Sequence, residues 1–461
     1  MVTQALIGIP GTLQSLDATA VTTSLGTGLR EAVFISDPTT LGARAAVTNS
    51  SPTPDSYALL TRNVGMTFDA FNRLRVSNPA TEFSGFNEYK INPFNYVTAT
   101  AGTGTVTHST TTKRVTLASG GTVSGARAVL QTKSYMRYNP GKSLATAQTF
   151  TLGAAPSANV AKRVGYFDDS NGLFLEYTST GIRFVRRSSV SGSVVDTAFE
   201  QANWNVDPLN GTGPSGLTLN LDYAQIFWMD LQFLGVGTVR YGFEINGTAY
   251  VCHAANHANL TASQPYIATA NLPLRWELVN TGTAGATATM DCICGKVDSE
   301  GGLELPSIQY AVSNGVTGIA TSTTLKPILS IRPGPTFGGI TNRGWMIPQT
   351  ADLFVTGTSN HYYQIILNAT LTGPSWTAVN TNAMAQYDVT SSAVALGTGV
   401  VIEDGYIASG AKTGSAFAST FSGRPLVNSF DGTTPDTLTI AVRTLTGTDT
   451  GFGSFTWFGY W

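Results

Sequence analysis

"FWMDLQFLGVGTVRYGFEINGTAY", residues 227–250, alternates apolar and polar positions twice, with a glycine-rich break between the two runs. Phe227, Met229, Leu231 and Phe233 fall at every second position and so share one face of an extended strand. After "LGVG" (234–237) the pattern resumes, with Val239, Tyr241, Phe243 and Ile245 on one side and Thr238, Arg240 and Glu244 on the other. "EINGTAY" then supplies Asn246-Gly247, a pair in which both residues accept positive φ and which fits the two-residue turn of a hairpin. The stretch predicts an antiparallel sheet with one buried face.

"GYFDDSNGLFLEYTSTGIRFVRRSS" (165–189) reads the same way. Leu173, Leu175 and Tyr177 alternate with a mixed face, "TSTG" turns, and Ile182 and Phe184 flank Arg183. Its acidic centre has three readings: a calcium loop, a catalytic carboxylate pair, or a bend. Asp169, Asn171 and Gly172 match only a fragment of a calcium-loop spacing, and Glu176 falls on a strand. Adjacent Asp168 and Asp169 do not face each other across a cleft as paired catalytic acids must. Asp, Ser, Asn and Gly are what a tight bend uses, so a bend is expected.

Similar strand signals recur every ten or so residues along the chain, separated by Gly, Asn, Pro or Asp. Helical periodicity is nearly absent; "DTAFEQAN" (196–203) is the best short helix candidate. The fold class expected is all-β: an extended N-terminal arm followed by two antiparallel β-sandwiches of jelly-roll or lectin-like type. Residues 1–80 carry short apolar runs without the density for a core. Residues 81–305 hold the sharpest strands and form the central sandwich. Residues 306–461 form the C-terminal sandwich, with the Pro/Gly-rich "LKPILSIRPGPTFGGITNRG" (325–344) near its start. No repeat of 20–50 residues is present, which speaks against a solenoid.

The chain has 461 residues, 42% of them hydrophobic, so it can bury real cores. Charged residues make up only 12%, against about 25% in an ordinary domain. A net charge of −2 without basic runs argues against nucleic-acid binding. Low charge also weakens repulsion between copies and favours oligomerisation. No run of about 18 apolar residues occurs, so no membrane-spanning helix is expected. "MVTQALIGIPGTLQ" lacks the basic start and apolar core of a signal peptide. Three cysteines cannot make a disulfide framework, which suggests synthesis in a reducing cytoplasm.

Chemistry-bearing residues are sparse. Cys252, His253, His257, Cys292 and Cys294 lack the C-x₂₋₄-C spacing of structural zinc sites, and His253 and His257 sit in no helical pattern. They read as loop histidines and buried thiols. G-x-S-x-G is absent, and "FGGITNRG" (337–344) lacks the lysine of a phosphate loop. Asp230, Glu244 and Glu277, single acids on strands, are read as facing solvent or pairing with arginine. No catalytic, cofactor or metal residue is assigned, and the chain is expected not to be an enzyme. Most of the seven tryptophans belong to cores, leaving one or two for a flat sugar-stacking or subunit contact.

"FDAFNRLRVSNPATEF" (68–83) resembles a segment of tailed-bacteriophage virion structural proteins, where an aromatic, "RLRVS" and a proline recur after a short attachment region. "YNPGKSL" (138–144), "RVGYFDDSNGLF" (163–174), "LGVGTVRYGFEING" (234–247) and the closing "FTWFGYW" (455–461) are similar to the sandwich regions of such proteins. Asn72 stands where that resemblance would place glycine. The resemblance implies a non-enzymatic component of the tail, baseplate or fibre, homo-oligomeric and by preference trimeric, assembled in the host cytoplasm and located in the virion. Its partners would be other virion proteins, with a host-surface glycan as a further candidate, and neither nucleic acid nor membrane. In the arm, Phe71, Leu74 and Val76 would pack on a partner while Arg73 and Arg75 reach its carboxylates or carbonyls. Alternatives are a capsid decoration or head-fibre protein and a glycan-binding receptor-recognition module. A tailspike depolymerase is disfavoured, because its β-helix repeats are missing.

Overall fold

The computed structural model describes residues 79–461, apart from 261–262, 417–420 and 422–423, together with the backbone of three strands nearer the N-terminus. Those three, β1 (Thr3–Ile9), β2 (Thr12–Thr23) and β3 (Gly26–Ala32), pair antiparallel in chain order within a unit of their own. Phe71, Arg73, Leu74, Arg75 and Val76, the candidate docking residues, lie outside the described residues.

Residues 80–300 build two antiparallel sheets, packed face to face. The chain runs through β4 (Ala80–Phe86), β5 (Tyr96–Ala101), β6 (Thr105–Ser109), β7 (Arg114–Ala118) and β8 (Arg127–Thr132). It continues through β9 (Ser143–Thr151), β10 (Val160–Phe167), β11 (Gly172–Thr178), β12 (Gly181–Ser188) and β13 (Val195–Glu200). Strands β14 (Gln225–Leu231), β15 (Val239–Ile245), β16 (Thr248–Ala255), β17 (Leu274–Asn280) and β18 (Thr289–Glu300) complete it. One sheet has the order β13-β12-β11-β10-β17-β8-β5. The facing sheet runs β16-β15-β14-β9-β18-β7-β6, with β4 also paired to β18.

The period-two pattern decides which side chains meet between the sheets. Phe227, Met229, Leu231, Val239, Tyr241 and Phe243 are buried on one sheet; Leu173, Leu175, Ile182 and Phe184 are buried on the other. Each such side chain contributes about 1.5–3 kcal/mol by leaving water. Gly295 on β18 lets the sheets approach: a Cβ there would stand 2.8 Å from the Trp276 ring on the opposite sheet. The Asn246-Gly247 turn forms as the sequence predicts, with φ of 53° and 75° and Ile245 paired to Thr248.

The helix expected over 196–203 is not there. Residues 195–200 are β13, and only Gln201–Asn203 turn, as a short 3₁₀ helix. Pairing to the edge of β12 wins over local propensity: Phe199 sits opposite Phe184, and Arg187 grips Asp196 through two bonds of 2.8 Å.

The acidic stretch is a bend joining β10 to β11. The Asp168 Oδ1 accepts backbone N–H bonds from Ser170 and Asn171, both 2.8 Å. Asp169 does more than turn the chain, since it pairs with Arg127 and with Arg275 at 2.6 Å. This extends a charge ladder over the outer face of the sheet. Glu200 meets Arg183 (3.2 Å), Arg183 meets Glu176 (2.5 Å), Glu176 meets Arg163 (2.7 Å), and Arg163 meets Glu277 (2.7 Å).

A second pair of antiparallel sheets follows. One runs Gln309–Ser313, Asp449–Tyr460, Trp345–Thr356, Lys412–Ala416; the other is centred on Lys326–Pro333, Leu438–Thr444 and His361–Leu367. Ile328 and Ile440 of the latter lie over Gly453 of the former. The two sandwiches share a seam. The Trp345 indole N–H donates to the Tyr135 carbonyl (2.7 Å), Lys133 pairs with Asp436 (2.5 Å), and the Phe430 ring lies 5.1 Å from the Arg275 guanidinium.

Two outcomes follow from this fold. Gly247→Val meets open space but must hold φ near 75°, so the loss expected is about 1–3 kcal/mol, read from chemical denaturation. An unchanged midpoint would contradict the turn. Asp169 would be raised by its partial burial, yet Arg275 and Arg127 overcome this and hold its carboxyl at about 2, below the usual 3.8. A depressed carboxylate adds stability above its unfolded pKa and loses it as pH falls through its folded pKa. Asp169→Asn, at a half-exposed side chain, should therefore cost about 1 kcal/mol at pH 7 and close to nothing at pH 2. A cost that persists at pH 2 would show that the ion pairs are not its source.

Candidate functional site

On β12, Ile182 and Phe184 point between the sheets, and the next residue in that register is Arg186. Its Nη2 donates to the Thr197 Oγ1 of β13 at 3.1 Å, which fixes the guanidinium at the edge of the sandwich. The Nε is buried without a hydrogen-bond partner among the described residues. Opposite stands the end of β16. His253 pairs in register with Tyr241 and its ring lies 4.6 Å from that of Phe199. Its Nδ1 accepts the Asn205 backbone N–H (3.3 Å), leaving the proton of the neutral ring on Nε2. The Asn205 side chain bonds both backbone groups of Ala254 at 2.9 Å, so a loop residue extends the strand edge.

The "LGVG" turn positions the other wall. The Gly237 carbonyl accepts from His257 Nδ1 (2.7 Å), and Gly235 accepts the Tyr266 backbone N–H (2.8 Å). The His257 and Tyr266 rings are thereby stacked, 4.1 Å apart and 14° from parallel. Tyr266 also donates its hydroxyl to the Gln232 carbonyl at 3.3 Å.

Between these walls opens a cleft of about 710 Å³, bounded by β12 and β13 on one side and by β16, residues 256–260 and residues 264–266 on the other. That size lies within the range of small-molecule sites. Rings of Phe199, His253, His257 and Tyr266 line it, beside the polar side chains of Ser188, Asn256 and Gln264. Burial lowers the pKa of His253 and of His257, the latter with help from Arg186, so both rings are neutral at pH 7. Arg186 is then the charged group among the described lining residues, and none of them is an acid. Ring faces and edges, amides, a hydroxyl and one guanidinium suit the apolar faces and hydroxyl groups of a saccharide.

The remaining candidates stand apart. Cys252 and Cys292 are buried, their thiols pushed up by burial, and Cys294 is exposed. Among the described residues no three His, Cys, Asp or Glu side chains gather as metal ligands. Asp230 is fully buried and bonded to Arg240, Glu277 lies among Arg163, Arg127 and Arg275, and Glu244 is exposed on β15. Five tryptophans (204, 228, 276, 345 and 457) are core residues; the Trp376 ring lies 4.1 Å from the Arg332 guanidinium and Trp461 is exposed. Reasoning from sequence named His253 and His257 but missed Arg186, Phe199, Asn205 and Tyr266. One signal was available: in "IRFVRRSS" the inward apolar series Ile182, Phe184 is broken by Arg186.

No protein-family model and no curated protein matches the sequence. Among solved structures, the chain is similar to the carbohydrate recognition domain of Emp47p, at 11% identity and a TM-score of 0.32, over 49% of this chain and 98% of that one. It is similar to the receptor-binding domain of botulinum neurotoxin D (11%, TM-score 0.31), covering 48% of this chain and 49% of that one. It is similar as well to a carbohydrate esterase of the Shiga toxin-encoding bacteriophage phi24B (11%, TM-score 0.28), covering 48% of this chain and all of that one, 100%.

Proposed function

We propose that the chain is a non-enzymatic structural component of a tailed-phage particle whose first sandwich binds a saccharide in the cleft between β13 and β16. The observation that carries the binding role is the cleft itself, where four ring-bearing side chains and several amides and hydroxyls face one open space. The non-enzymatic reading is supported by the acids. Glu176, Glu277 and Asp230, which a hydrolase would need free, are buried against arginines. The particle role is supported by the resemblance of residues 68–83 and of the sandwich motifs, and by the low charge of the chain. Within this proposal the N-terminal arm is the anchor, copies associate as a homo-oligomer, and the sandwiches project or bridge.

An oligosaccharide array probed with the full chain tests the binding role. Binding should be seen and should be lost in Val195→Trp, which places an indole in the mouth of the cleft from a half-exposed edge position, without lowering the melting temperature. Retained binding in that variant would remove the cleft from the account. Mass spectrometry of purified particles should find the chain as a constituent; its absence would overturn the particle role.

A further inference from the structure

We infer that the cleft selects saccharides that bear a carboxylate, and that Arg186 is the residue that reads it; this deepens the saccharide reading above and rests on it. The other arginines of the same sheet are satisfied. Arg163, Arg183, Arg187 and Arg275 each hold an aspartate or glutamate within ion-pair distance on the outer face. Arg186 faces the opposite way, at the open edge of the interior, and has no carboxylate partner among the described residues.

Its hydrogen bond to Thr197 sets the plane of the guanidinium, while its buried Nε has no partner among the described residues. The groups around it do not supply a counter-charge: Ser188, Asn205, Asn256 and Gln264 are neutral, and His253 and His257 carry no charge at neutral pH. A guanidinium left with a buried donor and no opposite charge is an unfavourable arrangement. A carboxylate entering the cleft supplies the missing charge, in the planar geometry that guanidinium groups match best. The sugar ring that carries it then has Phe199 and His257 for its apolar surface, with Asn256 and Gln264 for its hydroxyls.

Calorimetric titration of the full chain with sialyllactose, tri-galacturonic acid, lactose and maltotriose tests this. One of the two carboxylated saccharides should bind at least about tenfold tighter than either neutral one, and which of them does so identifies the type of acid. On wild-type protein, reducing the carboxyl of that saccharide to an alcohol should remove the gain. Arg186→Gln should abolish the preference for the acidic over the neutral ligands, and added KCl should weaken only the acidic ligand. Equal affinity for acidic and neutral saccharides would overturn the assignment while leaving the cleft a saccharide site. If none of the saccharides binds the wild type, the saccharide reading itself fails and this inference fails with it.

Discussion

Phe184 leaves β12 toward the facing sheet and finds a ring on each side: Trp204 at 4.1 Å, Tyr241 at 4.7 Å and Phe227 at 5.8 Å between centroids. This stack joins the two sheets near the edge formed by β12, β13 and β16, where emptying a ring-sized site costs about 3–5 kcal/mol. The cleft is built directly on it. Arg186 is the next inward residue after Phe184, and His253 lies beside Tyr241 in strand register. The separation of the cleft walls is therefore set by the packing of rings beneath them, and the site is held by strands rather than by loops alone.

The other face of the same sheet has a different problem. Phe167, Phe174 and Val185 are buried there, as are Glu277 and Arg275, on the face turned away from the partner sheet. Arginine stems and guanidinium planes do the covering: Arg187 and Arg275 each lie 5.2 Å from a phenylalanine ring, and Asp196 and Asp169 respectively pair with them. Phe430 from the second sandwich closes part of this surface. One sheet thus carries two uses of arginine. Outward residues are neutralised and structural, whereas the inward Arg186 is left without a carboxylate among the described residues.

The strand pattern was legible because one-sided burial forces a period of two, as Phe227 to Leu231 and Val239 to Phe243 display. The hairpin turn was legible because Asn246 and Gly247 carry the conformational requirement in their own chemistry. Residues 196–203 misled because their local pattern favours a helix, while the open edge of β12, invisible in the sequence, offers better hydrogen bonds. The cleft was hidden for a related reason. Arg186, Asn205, His253 and Tyr266 are scattered over eighty residues or so of chain, and only the pairing of distant strands gathers them. The ladder was half visible: the bend at Asp168 and Asp169 was read correctly, yet nothing local indicates that Asp169 reaches Arg127 and Arg275.

The four histidines provide an internal control for the central claim, that the cleft is where this protein takes its ligand. His253 and His257 line it, whereas His108 bonds the Asn87 carbonyl and His361 is buried beside Asp449 in the second sandwich. With the histidine Cε1 positions labelled with carbon-13, titration with a saccharide selected from the array should shift the His253 and His257 resonances and leave those of His108 and His361 in place. Saturable binding that moves His108 or His361, or that moves none of the four, would contradict the account.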